Sequence, residues 1–215
     1  AYLDAGYITT RVYLGEQNLA SGVLKLTVLE GRIEQVVLNE KAPGLGARIA
    51  LPFAQGAALK LDDLEQGVDQ LNRLRMNRAE MQILPGQSPG GSVVALKTQD
   101  GDHFYFNAGA DNQGSPSSGR ARLRAGVEAE NLLGLQESIA SSYVGSRESN
   151  ALMLSASIPW GYNTFSYTHA YSESQSLVAD TALMYSDSRT HTFAWNRVVD
   201  RSRSGKTSVD LSFNH

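Results

Sequence analysis

The residues that could do chemistry in this chain are few, and the sequence sets them far apart. Gly205-Lys206-Thr207 resembles the close of a phosphate-binding loop. The full pattern needs a glycine where Asp200 stands and a helix where alternation predicts a strand. Gly44-Leu45-Gly46 lacks the third glycine of a dinucleotide fingerprint, whose place Ile49 takes. His103, His169, His191 and His215 show no local ligand spacing, so they are read as wall or rim residues and no metal site is expected. Gly86-Gln87-Ser88-Pro89-Gly90 spells Gly-x-Ser-x-Gly, but it lies between two strand-like runs rather than between a strand and a helix, so no nucleophile elbow is read. There is no cysteine, hence no disulfide or thiolate. Glu128 and Glu130 share one face of a segment, but Arg122 and Arg124 share it too. A mixed-charge wall accounts for them more simply than a pair of catalytic carboxylates. Nothing in the set argues for an enzyme or a cofactor.

The bulk properties narrow the classes further. The 215 residues can bury a core, as one large domain or two small ones. With 41% hydrophobic and 19% charged residues and a formal net charge of −3, a strongly basic nucleic-acid binder and an acidic disordered tail are both excluded. No stretch approaches the roughly 18 consecutive apolar residues of a membrane helix; a membrane barrel, whose strands alternate, would not show one. The chain starts at Ala1 without a charged-then-apolar leader and stops inside the strand-like Thr207–Phe213, so a piece of a longer protein is expected.

The elements that must position these residues change character near residue 102. Before it, Val23–Leu29 and Arg32–Leu38 read as strands and Ala47–Phe53 as a short helix. Leu61, Leu64, Val68, Leu71 and Leu74 fall at spacings of three and four, which predicts a helix with Asp62 as its cap and Glu65 completing a capping box. Ala79, Met81 and Ile83 start a strand broken by Pro85-Gly86, and Val93–Thr98 is another. The order strand, helix, helix, strand, strand makes a small α+β unit.

After residue 102, polar and apolar residues alternate. Ala121, Leu123, Ala125, Val127 and Ala129 lie on one face; Arg122, Arg124, Glu128 and Glu130 lie on the other. Similar alternation runs through Phe104–Asp111, Leu152–Trp160, Thr192–Val199 and Ser208–Phe213. With Leu135–Val144, Asn163–Tyr171 and Leu177–Ser186, eight strands are expected. Tight turns are read at Asn131–Gly134, Pro159–Tyr162 and Asp187–Arg189. More polar loops are read at Gln113–Gly119, Gly145–Ser149, Ser172–Ser176 and Asp200–Gly205. Short turns on one side and longer loops on the other suit an outer-membrane meander, with Trp160 and Tyr162 as interfacial anchors. A soluble sandwich would show the same alternation. Small apolar residues and runs near the membrane-spanning length of about 9–11 residues favour the membrane.

Several segments in order resemble a known family. Gly6–Val12, Glu16–Leu19, Ser21–Leu24 and Glu30-Gly31 are similar to the end of a first POTRA domain. Leu64–Leu74 and Leu84–Ser92 are similar to the second. Asp111–Gly114, Gly119-Arg120 and Ile158–Tyr162 resemble the first barrel strands. The family is that of the two-partner secretion outer-membrane transporters, of the ShlB/FhaC/HecB haemolysin secretion/activation type. Gly15 departs from its usual proline, and Arg75-Met76 from a common Pro-Ser.

The resemblance implies an α+β POTRA domain followed by antiparallel transmembrane β-barrel strands, about eight of sixteen. Residues 1–31 would end the first POTRA domain, 32–101 form the second, and 102–215 form the N-terminal half of the barrel, without the family's plug helix or inward loop. The function implied is passage of an unfolded exoprotein (a haemolysin, adhesin or contact-dependent toxin) across the outer membrane, with the POTRA part in the periplasm. Its partners would be that exoprotein and outer-membrane lipid, with no nucleic acid and no small-molecule substrate. Glu65, Asp69, Gln70 and Arg73, expected on the exposed side of the helix, would contact the client. Arg122, Arg124, Glu128 and Glu130 would line the pore. The alternatives are a barrel-assembly insertase and a periplasmic β-rich binding module.

Overall fold

The computed structural model describes residues 2–178, 182–202 and 205–215. The chain divides into two units, Ala1–Asp100 and Gly101–His215.

The first unit opens with a hairpin of β1 (Arg11–Tyr13) and β2 (Thr27–Leu29), paired antiparallel. The strand expected from Val23 begins only at Thr27, because β1 offers three residues to pair with. The order β3 (Arg32–Leu38), α1 (Leu45–Ala50), α2 (Leu61–Leu71), β4 (Asn77–Pro85) and β5 (Gly91–Asp100) then matches the expected strand, helix, helix, strand, strand. β5 is the central strand, parallel to β3 and antiparallel to β4.

Local chemistry moves both helix boundaries from their expected places. α1 stops at Ala50 rather than Phe53, because Leu51 precedes Pro52 and is driven to ψ 131°. α2 is capped by Lys60, not Asp62, and no side chain caps it. The Leu61 N–H instead donates to the Gly6 carbonyl at 2.9 Å, so a neighbouring segment does the work of a capping box. Asp62 and Asp63 fall in the first turn, where the helix dipole favours negative charge.

The apolar stripe of α2 packs as its spacing predicts. Leu64 and Leu71 are fully buried with Ile33, Leu59, Val94 and Leu96, and Val68 packs against them. Gly67 permits the close approach: a Cβ there would lie 2.7 Å from Leu51 Cδ2 and 2.8 Å from Phe53 Cε1. Gly31 plays a similar part at the entry to β3. Its N–H donates to Thr10 Oγ1 at 3.1 Å, its carbonyl accepts from the Leu59 N–H at 2.9 Å, and a side chain on it would collide with Thr9. The Thr9-Thr10 and Glu30-Gly31 motifs, far apart in sequence, are therefore the two halves of one contact.

Three polar side chains hold the sheet's ends. Asn72 accepts from the Ala79 N–H at 2.6 Å and donates to the Ala79 carbonyl at 3.1 Å, acting as a surrogate strand. Asn39 does the same for Thr98. Glu34 accepts from the Ser88 and Gln87 N–H groups at 2.9 and 3.2 Å, which clamps the β4–β5 turn. Those bonds, from Ser88 first and then Gln87, hold its carboxyl below the usual range.

The second unit is one antiparallel meander in which each strand pairs only with its neighbours in sequence: β6 (Phe104–Asp111), β7 (Arg122–Glu130), β8 (Ser138–Gly145), β9 (Ser149–Trp160), β10 (Asn163–Val178), β11 (Ala182–Ser202) and β12 (Gly205–Asn214). The described residues form seven strands, not eight. Ser172–Ser176 and Asp187–Arg189, read as a loop and a turn, are strand residues paired with one another, Ser172 with Ser188 and Glu173 with Asp187. Both segments are polar on both faces, so they carry no alternation, yet the ladder needs only their backbones. Of the separate strand expected at Leu177–Ser186, Leu177 and Val178 end β10 and Ala182–Ser186 begin β11; residues 179–181 lie outside the described residues, as do Arg203 and Ser204 of the Asp200–Gly205 loop.

The turn expected at Asn131–Gly134 is longer, because β8 starts at Ser138 rather than Leu135. Glu137 pins it by accepting from the Leu133 and Leu135 N–H groups at 2.6 and 3.0 Å.

Two outcomes are expected. Gly67→Ala forces Leu51 and Phe53 outward at a cost of about 1–3 kcal/mol, more than the roughly 1 kcal/mol that alanine adds to the helix. Thermal unfolding should show the loss of stability. Because the Glu34 carboxyl is depressed in the folded state, its contribution is present above the unfolded value and disappears as pH falls through the folded one. Amide exchange at Gln87 and Ser88 should therefore be faster in Glu34→Gln at neutral pH, and the two proteins should converge in acid.

Candidate functional site

Register decides which side chains share a face, because residues directly opposite in an antiparallel pair point the same way. Across β6 and β7, Phe104, Phe106 and Ala108 oppose Ala129, Val127 and Ala125. The row continues through Ile139 and Tyr143 of β8 to Ala156 and Leu152 of β9. It then passes to Phe165 and Tyr167 of β10, to Trp195 and Phe193 of β11, and to Leu211 and Phe213 of β12. One apolar face thus spans all seven strands, and most of its large side chains are exposed.

The opposite face is mostly polar, with Val144, Met153 and Ala194 among its exceptions. Arg122, Arg124, Glu128 and Glu130 lie on it with Asn107 and Asp111 of β6, Ser138 and Ser142 of β8, Ser155 and Ser157 of β9, and Thr192 and Asn196 of β11. Asp111 joins two of the expected residues: Arg122 Nε donates to its carboxylate at 2.9 Å, and Arg124 donates to the other oxygen. Glu128 accepts from the Ser138 hydroxyl at 3.2 Å. Glu130, expected to face water, is instead 1% exposed. It sits at the end of β7 beside the pinned 131–137 turn, where its N–H donates to the His103 carbonyl at 2.8 Å. Asp111 escaped sequence reasoning because its partners lie across the Gln113–Gly119 loop.

Trp160 ends β9 on the apolar face, 62% exposed, next to the tight turn that holds Tyr162. The Trp195 indole donates to Asn163 Oδ1 at 2.9 Å at the same end. Together they place aromatic rings with polar handles at one margin of the apolar band.

In the first unit, α2 packs against β4, the edge strand of the sheet. Asp69 is exposed, and Glu65 and Arg73 are half-buried. Gln70, expected among the exposed residues, is 5% exposed. The buried arc of α2 is wider than its apolar stripe and takes in Gln66 and Gln70 beside Gly67 and Leu71.

Comparisons with known proteins agree along the chain. The family described as haemolysin secretion/activation protein ShlB/FhaC/HecB matches residues 90–215, a POTRA domain matches 32–85, and a ShlB-type POTRA domain matches 1–31. The outer membrane transporter CdiB of Dickeya dadantii is 34% identical over 97% of this chain and 39% of its own length. The hemolysin transporter protein ShlB of Serratia marcescens is 36% identical over 77% of this chain and 30% of its own. Among solved structures, CdiB from Escherichia coli superposes with a TM-score of 0.89 at 31% identity, covering 99% of this chain and 42% of that one. The chain thus spans about two fifths or less of the length of these relatives.

The two faces make opposite demands on substitution. Ala125→Arg places a charge on the apolar face at about 2–4 kcal/mol near a bilayer midplane and should abolish insertion of the full-length protein. Arg124→Ala, on the polar face, should leave outer-membrane yield unchanged and alter single-channel conductance. Equal yields for the two variants would mean that the faces are reversed.

Proposed function

Since this chain belongs to the ShlB/FhaC/HecB haemolysin secretion/activation family, we propose that the full-length protein exports an unfolded exoprotein across the outer membrane. On this reading its POTRA part binds the client in the periplasm and its strands form part of the pore, with the apolar face toward lipid and the polar face toward the lumen. Mixed charge along the lumen wall lets an extended chain pass without being held by one sign. The protein performs transport rather than catalysis.

One observation carries the client-binding step. Even-numbered residues of β4 bond to β5, as the continuing Gly86 N–H to Gly91 carbonyl bond at 2.9 Å shows. The odd-numbered residues therefore turn their N–H and C=O groups outward. Asn72 occupies those of Ala79, which leaves Met81 and Ile83 as the outward pairs. The other edge, β3, is bridged near both ends: Ile33 exchanges bonds with Gly56 and Ala57, and Leu38 with Lys41. In this three-stranded sheet an incoming strand thus meets the less obstructed edge at Met81–Pro85, and can add to it by backbone pairing. Asp69, with Glu65 and Arg73, stands on the neighbouring helix to select side chains.

Proline tests this role, since an edge strand tolerates a missing N–H only where that N–H points away from the ladder. Because the Ile83 side chain packs against the core, Ile83→Ala, which keeps the N–H, is the control and should still secrete. Full-length protein co-expressed with its exoprotein in a Gram-negative host should secrete little with Ile83→Pro while its barrel still inserts. Gln82→Pro breaks the β4–β5 ladder and should unfold the POTRA unit. Normal secretion by Ile83→Pro would refute strand addition at this edge. A parent that inserts but secretes nothing would favour the assembly-factor reading.

A further inference from the structure

The histidines, without spacing in the sequence, come together across strands. His169 of β10 lies directly opposite His191 of β11, and His191 lies opposite His215 beyond β12. His191 exchanges both backbone hydrogen bonds with His215, at 2.8 and 2.9 Å. On its other side, His191 and His169 are therefore a pair without mutual backbone bonds, the arrangement that brings side chains closest. Their rings stand 4.6 Å apart, centroid to centroid.

The pair occupies a particular level of the sheet. One register step toward the tight-turn end lies Tyr167 opposite Phe193; one step the other way lies Tyr171 opposite Arg189, and then Glu173 opposite Asp187. On β9 the neighbour of His169 is Leu154, so the imidazoles lie in the outer part of the apolar face, next to the level at which Arg189, Glu173 and Asp187 bring charge to it.

Two further details point to a ligand. His191 Nδ1 is 2.8 Å from the Tyr167 hydroxyl. When Nδ1–H donates to that oxygen, the ring is fixed and Nε2 keeps a free lone pair, the outer-shell arrangement common to metal-binding histidines. His169 Nδ1 is enclosed and has no hydrogen-bond partner. A buried ring nitrogen without a partner is costly to keep, and a metal ion would satisfy it.

We propose that His169 and His191 form a cross-strand site for a borderline transition-metal ion (Zn2+, Ni2+ or Cu2+), with Tyr167 as its positioning residue. Among the described residues, no group of three or more His, Cys, Asp or Glu side chains gathers around a common point, so water completes the coordination. A bound ion would cross-link β10 to β11 at the margin of the apolar band. This inference rests on register and contact geometry and is independent of the transport reading.

Copper is the most sensitive probe, because imidazole sites hold Cu2+ more tightly than the other divalent ions of its row. Full-length protein purified in detergent should bind one Cu2+ whose paramagnetic resonance spectrum shows coupling to two imidazole nitrogens. His169→Ala and His191→Ala should each lose that signal and at least about tenfold in affinity. Tyr167→Phe should keep the two-nitrogen signal and weaken binding by about tenfold or more. His103→Ala, outside the row, should change nothing, and retained heat-modifiable mobility on gels would show that each variant barrel is folded. Unchanged copper affinity in the folded His169→Ala/His191→Ala double variant would overturn the site. Loss of binding in His215→Ala but not in His169→Ala would overturn the pairing.

Discussion

The second unit is governed by one constraint: a strand crossing hydrocarbon must satisfy every backbone N–H and C=O within the protein. Sequential antiparallel pairing does this, and it has a second consequence. Once register is continuous, side chains sort by parity, so a single slip anywhere would turn an entire strand's charges onto the apolar face. The exposed apolar row from Phe104 to Phe213 and the Asp111–Arg122–Arg124 cluster opposite it are two products of the same ladder.

In the POTRA unit the corresponding problem is where pairing ends. Asn72 and Asn39 each present an amide that imitates a neighbouring peptide group, and Glu34 gathers two turn amides. These contacts close the ends of a small sheet and leave a short stretch of β4 outward-facing. On the proposed reading, stability and binding capacity are set by the same bonds, since what is already paired could not recruit a client.

Much of this was legible in the sequence because it is periodic. The apolar stripe of α2, whose fifth member Leu74 falls just past the helix end at Leu71, and the alternation in β7 are local patterns, and the order of elements followed from them. What the sequence concealed was contact between distant residues. Ser172–Ser176 and Asp187–Arg189 look like breaks because neither face of that hairpin is apolar there, although Ser172 and Glu173 pair directly with Ser188 and Asp187. Glu130 and Gln70 were misjudged as exposed because burial there comes from a folded turn and from a wide helix arc rather than from residue type. The histidine row and the Thr9–Gly31 contact have no signal along the chain and arise only when register or packing brings the residues side by side.

The central claim, that one face of this meander meets lipid and the other meets water, is open to direct measurement by site-directed labelling, with no cysteine among these 215 residues to compete for the label. Single cysteines placed from 123 to 129 in the full-length protein can carry nitroxide labels in reconstituted bilayers. Collision rates with oxygen, which partitions into lipid, and with a water-soluble nickel chelate would then be compared. The account predicts a period of two: oxygen dominates at 123, 125, 127 and 129, and the chelate at 124, 126 and 128. Comparable chelate access at both sets would contradict it and return the strands to a soluble sheet.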